Sequence, residues 1–335
     1  MKKEFTVDDI FGGSLNLTLD PSDDIDVSIE EVIVEEAPKL IRVTATGIEI
    51  LDDKLMEDIK KKNLSASMVN SLTQCPGDWI MESFILKLVD HEEPIHFVRG
   101  HIFHDTMERF FTLPKEERTR LALSQTAMAV IKDKYKQVLT DPETMAWVKE
   151  ALQGYLATGF EYENINVAQI VKYASKGPEL GVELFVKGKI GNTTRQVVGF
   201  IDRLDQLDDG TLSIVDYKTG KRIYTDSFDY ERQQLAYTML LEQDGHKVGA
   251  AKLEFPIAKG VVEIDVNNAE SRKQVEADFE AADALLNKCI EDNFFPFLGH
   301  HFCKWCGTLS PDFPTPKYGK PNVSWDDLNL YIEHD

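Results

Sequence analysis

Two acidic strands joined by a tight turn constrain this chain more than any other feature. Val198-Gly199-Phe200-Ile201-Asp202-Arg203-Leu204-Asp205 is followed by Ile214-Val215-Asp216-Tyr217-Lys218-Thr219-Gly220. Both segments read as β-strands, with Val197, Val198, Phe200 and Ile201 in the first and Leu212, Ile214 and Val215 in the second. Asp208-Asp209-Gly210 between them is a hairpin signal. A hairpin brings Asp202 and Asp216 to one sheet end, and period-two alternation sets Asp216 and Lys218 on one face. A carboxylate that follows an apolar run needs a partner, because an unpaired buried charge is costly. Divalent cations supply one through oxygen ligands, and a lysine beside them can hold or deprotonate an attacking water. The open alternative is that Asp202 pairs with Arg203 or caps a turn.

Other residues fall at spacings that suit the same chemistry. Gly100-His101-Ile102-Phe103-His104 reads as helix. His104 then shares a face with Gly100 and Glu108, and His101 less closely. Gln233 and Tyr237 stand four apart on a later helix, so both can reach one phosphate or the lysine. Arg203, Lys221 and Arg222 flank the acidic pair as candidate phosphate contacts.

These motifs resemble the PD-(D/E)XK nucleases, and within them the RecB-like branch that includes Cas4-type and AddB-type exonucleases. Four elements occur in the family's order: Gly100-His101-Ile102-Phe103-His104, Gly199-Phe200-Ile201-Asp202, Asp216-Tyr217-Lys218-Thr219-Gly220 and Gln233-Gln234-Leu235-Ala236-Tyr237. The likeness covers residues 65–306. It implies a restriction-endonuclease-like α/β fold, a mixed sheet flanked by helices with an N-terminal helical layer. It implies Mg²⁺ or Mn²⁺ held by His104, Asp202, Asp216 and the carbonyl of Tyr217, with Lys218, Gln233 and Tyr237 completing the catalytic set. Glu183 matches the glutamate the family often carries on the preceding strand, where it binds metal through water or holds Lys218. Its alternative is an outward strand residue.

The cysteines leave two metal readings open. The resemblance implies a [4Fe–4S] cluster with one early and three late cysteines. Cys75 and the pair Cys303 and Cys306 fit those places. The expected fourth, near Asp312, is missing, and Cys289 is an imperfect substitute. Zinc is the alternative, on Cys75, Cys303, Cys306 and His300 or His301. Unliganded cysteines are the third reading.

The helix pattern is read as 67–84 (with Ser67 as its cap), 96–112, 115–139 and 142–163, then strands through 179–217. A helix at 226–244, strands at 248–257 and 260–266 and a helix at 268–292 follow. This divides the chain into an acidic extension, 1–60, a nuclease domain, 61–310, and a proline-rich acidic tail, 311–335. Inside the domain lie a helical layer, 65–163, a catalytic core, 179–292, and a cysteine segment, 293–310.

The net charge of −21 opposes a polyanion over the chain as a whole. The charge is unevenly spread: residues 19–36 hold eight acidic residues and no basic one, read as a solubilising run, a cover for the cleft, or a site for a protein partner. The oligomeric state stays open. No run of 18 apolar residues exists and the N-terminus lacks a signal-peptide core, so no membrane association and a cytoplasmic location in a prokaryote or phage-infected host are expected. The leading function is a DNA exonuclease or end-processing nuclease in recombination, repair or phage replication. The alternatives are a subunit that binds DNA ends or single strands with little activity of its own, and a metal-stapled scaffold.

Overall fold

A strand covered on both faces carries apolar residues at successive positions rather than alternate ones. Leu212–Tyr217 is such a strand, buried at every residue, and the rest of the fold is arranged around it. The computed structural model describes residues 39–89, 93–158, 162–170, 179–223, 228–298 and 330–334. All lie within one unit, Pro38–Asp335.

In chain order the elements begin with β1 (Ile41–Val43), β2 (Gly47–Ile50) and helices α1 (Asp53–Lys60), α2 (Ala66–Gln74) and α3 (Pro76–Ile80). Helices α4 (Ile95–Phe111), α5 (Arg120–Lys134) and α6 (Pro142–Ala157) follow. Next come β3 (Gln169–Ile170), β4 (Glu179–Leu180), β5 (Val182–Gly188), β6 (Val197–Gln206) and β7 (Leu212–Tyr217). The remainder is α7 (Phe228–Gln243), β8 (Val248–Phe255), β9 (Gly260–Ile264), α8 (Ala269–Asp292), β10 (Phe295–Pro296) and β11 (Ile332–His334).

The main sheet has the order β5-β6-β7-β8-β9. Its pairs are antiparallel except β7 with β8, which run parallel and are joined through α7. Leu212 and Ile214 enter one apolar core with residues of α2, α7 and α8, whereas Val215 and Tyr217 enter a second with α4, α5 and α6. The sheet is thus a middle layer between two groups of helices, the restriction-endonuclease-like arrangement expected. No helix among the described residues is long and apolar enough to cross a membrane.

A smaller sheet of order β10-β2-β1-β11 ties early and late parts together. Ile41 pairs with Ile332 in parallel, and Arg42 donates to both Glu333 and Glu49 at 2.9 Å. Residues 39–60 and 330–334 therefore pack as part of the fold. The acidic run at 19–36, the cysteine pair Cys303 and Cys306, the histidines at 300 and 301 and most of the proline-rich segment lie outside the described residues.

Helix limits differ from the sequence reading where local chemistry intervenes. Ser65, not Ser67, caps α2, accepting from the Met68 N–H at 3.2 Å. That helix stops at Cys75, which is extended (φ −160°, ψ 99°) because Pro76 disfavours helical geometry before it. The expected helix at 115–139 is shortened to α5, capped by Thr119 and flanked by single 3₁₀ turns. The next helix ends at Ala157, short of Glu163.

Candidate metal and catalytic site

The hairpin sets the site. Arg203 pairs with Val215 and Leu204 with Ile214, which brings Asp202 and Asp216 to the same end of the two strands. The turn closes at Gly210 (φ +83°), and Asp209 accepts from the N–H and hydroxyl of Thr211. Asp202 Oδ2 accepts the Tyr217 N–H at 2.7 Å, so the two strands are tied across the acidic positions.

From the other side α4 delivers His104, whose Nδ1 lies 3.4 Å from Asp202 Oδ2. Its ring stands edge-on to Tyr217, with centroids 6.0 Å apart. His101 points elsewhere; it is exposed and lies 3.3 Å from Glu93. Gly100 faces the Thr219 hydroxyl, where an added Cβ would sit 3.4 Å away, an ordinary contact.

Glu183 completes the group through an irregularity in β5. Its φ is +46°, in the left-handed region that a non-glycine residue rarely adopts. The period-two alternation breaks there: Val182 packs against the core of α4–α6, while Leu184, two positions on, is in the other core. Backbone strain of this kind persists where surrounding structure over-determines it, often at functional sites. Ligand atoms of His104, Glu183 and Asp202 all lie within 4.8 Å of one another.

Asp216 lies next to this triad and is held by the lysine. Lys218 Nζ stands 2.6 Å from Asp216 Oδ2, a close ion pair in which that oxygen nonetheless accepts no well-directed hydrogen bond. Lys218 also donates to Gln233 Oε1 at 3.0 Å, and Gln233 Nε2 donates to the Tyr237 hydroxyl at 3.1 Å. The i, i+4 spacing on α7 thus becomes a relay ending on the lysine. Tyr230, one turn before Gln233, places its ring 4.8 Å from Lys218 Nζ. The sequence reading passed over it, although three-residue helical spacing from Gln233 carried the signal.

Crowded acids set the electrostatics. Burial, then the charge of Asp202, pushes the Glu183 carboxyl up to about 7. Burial also raises Asp216, against the pull of Lys218. Burial works against the charged form of Lys218, but Asp216 holds its pKa above the ordinary lysine value. His104 is likewise desolvated, yet Asp202, Asp216 and Glu183 together raise its pKa. One buried carboxylate (Asp216) and two half-buried ones (Glu183 and Asp202), with one lysine and one imidazole, form a donor set that suits a hard divalent cation.

Arg203 corrects the sequence reading. It is 0% exposed, so it cannot touch a phosphate. Nε donates to Asp205 at 2.8 Å, Nη2 reaches Asp205 at 3.1 Å and Glu254 at 3.3 Å, and Nη1 donates to the Tyr217 hydroxyl. The guanidinium lies 4.3 Å from the Phe111 ring centroid. It fixes the aromatic side of β7 behind the site. Lys221 and Arg222 are exposed. Cys75 and Cys289 are buried free thiols, and Cys289 packs in the larger core, its thiol pushed up to about 11 by burial.

A sheet sandwiched by helices, with histidine and carboxylates converging beside an Asp-Tyr-Lys strand end, is an arrangement suited to metal-dependent hydrolysis of phosphodiesters. The chain belongs to the PD-(D/E)XK nuclease superfamily, whose family model matches residues 63–310. No curated protein matches it. It is similar to a solved structure described as "Crystal structure of SSO0001", at 12% identity, covering 78% of this chain and 94% of that one, with a TM-score of 0.33.

Proposed function

We propose that this nuclease acts on DNA as a Mg²⁺- or Mn²⁺-dependent exonuclease or end-processing enzyme of the RecB-like branch, serving recombination, repair or phage replication. The observation that carries the reading is the convergence of His104, Glu183 and Asp202 within 4.8 Å. Those three hold the cation, with Asp216 and the Tyr217 carbonyl as further oxygen donors. When bound, the cation supplies Lewis-acid polarisation of the phosphodiester. Lys218 orients the attacking water and faces the negative charge that develops on the phosphate oxygens. Gln233 aims the ammonium, and Tyr237 anchors Gln233.

The test is cleavage of labelled single- and double-stranded DNA by the purified protein. EDTA stops cleavage, and Mg²⁺ or Mn²⁺ restores it. Cleavage that persists in EDTA would overturn the mechanism. Binding of DNA ends with no cleavage in either metal would favour a recognition subunit.

A second metal group belongs to the same proposal. Gly77, two residues after Cys75, abuts the Phe297 ring, six residues before Cys303. The chain leading to the late pair thus starts beside the early cysteine. A [4Fe–4S] cluster would draw its fourth thiolate from Cys289, zinc its fourth ligand from His300 or His301. The apolar packing of Cys289 favours zinc. Elemental analysis of freshly purified protein decides: about one zinc per chain supports this reading, iron with brown colour supports the cluster, and neither removes both.

A further inference from the structure

The face of the main sheet next to the metal triad carries an unusual surface. Leu184, Val186, Val197 and Ile201 turn into the larger core, so the intervening residues of β5 and β6 stand on the opposite face. There Phe185 and Phe200 are direct cross-strand partners. Their rings lie 5.1 Å apart with planes at 51°, and they are 40% and 55% exposed. Helix α4 meets this face at the Glu183 and Asp202 end, where it brings His104. The two rings lie beyond that contact.

The next pair along the strands is Lys187 with Val198. At a rise of about 3.3 Å per residue, the aromatic pair lies ~7 Å from the Glu183 and Asp202 level, and Lys187 ~13 Å from it. Val198 donates its N–H to the Leu64 carbonyl at 2.8 Å, which brings the loop before α2 alongside β6. Between them opens a cavity of about 490 Å³ whose lining includes Lys61, Lys62, Ser65, Ser67, Ser83 and Val198. Asp58 is the acid on its wall. Lys61 and Lys187 are exposed, and Lys62 Nζ lies 5.6 Å from the Phe84 ring centroid.

We propose that Phe185, Phe200 and the lysine- and serine-lined cavity form a track for a single strand of nucleic acid running from the metal site. This deepens the nuclease reading and rests on it for the strand's destination. Two exposed aromatic rings in line with a metal site offer stacking surface to bases whose faces are free. A duplex hides those faces in its own stack. Lysines and serine hydroxyls beyond the rings suit phosphates and carry no sequence preference. On a chain of net charge −21, Lys61 and Lys62 on the cavity wall and Lys187 across from Val198 supply the complementary charge that a polyanion requires.

The test is fluorescence anisotropy of the full-length protein with a short labelled single strand and its duplex, in Ca²⁺ rather than Mg²⁺ so that binding is read apart from cleavage. Phe185→Ala and Phe200→Ala each weaken single-strand binding about tenfold and leave duplex binding unchanged. Phe200→Tyr retains the ring and restores affinity. Lys61→Ala, Lys62→Ala and Lys187→Ala each lower the salt dependence of single-strand binding by about 0.7 in log–log slope. Unaltered single-strand affinity in a folded Phe185→Ala, Phe200→Ala double variant overturns the track. So does equal weakening of duplex, or a change in oligomeric state in place of lost affinity, which would mark the face as a protein interface. Ring-dependent binding without cleavage in Mg²⁺ or Mn²⁺ supports the track and removes the nuclease reading. Cleavage of single strands with no dependence on the rings does the reverse.

Discussion

The Tyr237 ring occupies the space that a side chain on Gly199 would need. A Cβ built on Gly199 would overlap the ring and lie 2.8 Å from the hydroxyl oxygen. That hydroxyl accepts from Gln233, and Gln233 accepts from Lys218. The glycine of the β6 motif is therefore coupled to the lysine of the β7 motif through α7. Gly199→Ala is expected to displace Tyr237, cost about 1–3 kcal/mol of stability by overpacking, and lower turnover at least tenfold. Urea unfolding and single-turnover cleavage check both parts. Normal turnover in the Gly199→Ala enzyme would show that the relay does not reach the lysine.

Lys218→Ala should abolish cleavage, by about a hundredfold or more, because it removes an interaction made chiefly in the transition state. Lys218→Arg should not rescue, since the planar guanidinium cannot replace a compact ammonium 2.6 Å from Asp216 Oδ2. Circular dichroism should show both variants folded. Near-normal turnover in Lys218→Ala would remove the lysine from the mechanism.

The parts of this fold that the sequence makes legible follow short-range rules. β6, β7 and their turn announce themselves through apolar runs around Asp208-Asp209-Gly210, and α7 and α8 lie within two residues of their expected limits. The direction of the Glu183 side chain was not legible. It follows from a left-handed backbone at one strand residue, imposed by packing on two opposite cores. Arg203 misled because a cation next to an acidic site resembles a phosphate contact. Asp205, two positions on and therefore on the same strand face, carried the opposite signal. Glu254, its other acidic partner, comes from β8 and could be found only in three dimensions.

Arg203 and the exposed pair Lys221 and Arg222 should separate cleanly on substitution. Arg203→Ala strands Asp205 and Glu254 without their buried cation, a loss of about 3–5 kcal/mol. Lys221→Ala and Arg222→Ala should leave stability within about 0.5 kcal/mol while weakening DNA binding and its salt dependence. Thermal unfolding and binding at two salt concentrations decide it. Stability unchanged in Arg203→Ala would mean the buried network contributes nothing net.

The fold should lose an acid-sensitive contribution at Asp283, far in sequence from the site. This buried carboxylate on α8 accepts from the N–H and hydroxyl of Thr194 and lies 2.7 Å from Arg195 Nη1. Burial alone would raise its pKa, but the Thr194 and Arg195 contacts outweigh that and hold it below the ordinary carboxylate value. A depressed folded-state pKa means the unfolded chain binds the proton more readily. The stabilisation is therefore fully present above the unfolded value of about 3.9 and is lost as pH falls through the lower folded value. Asp283→Asn keeps the shape, loses the charge and should flatten this acid limb of the stability curve. Its stability at neutral pH should fall by about 3 kcal/mol, because Arg195 is left partly buried without its counter-charge. Urea midpoints measured from neutral pH down to pH 3 check both expectations, and an acid limb as steep in the Asp283→Asn variant as in the parent would assign that sensitivity to other carboxylates.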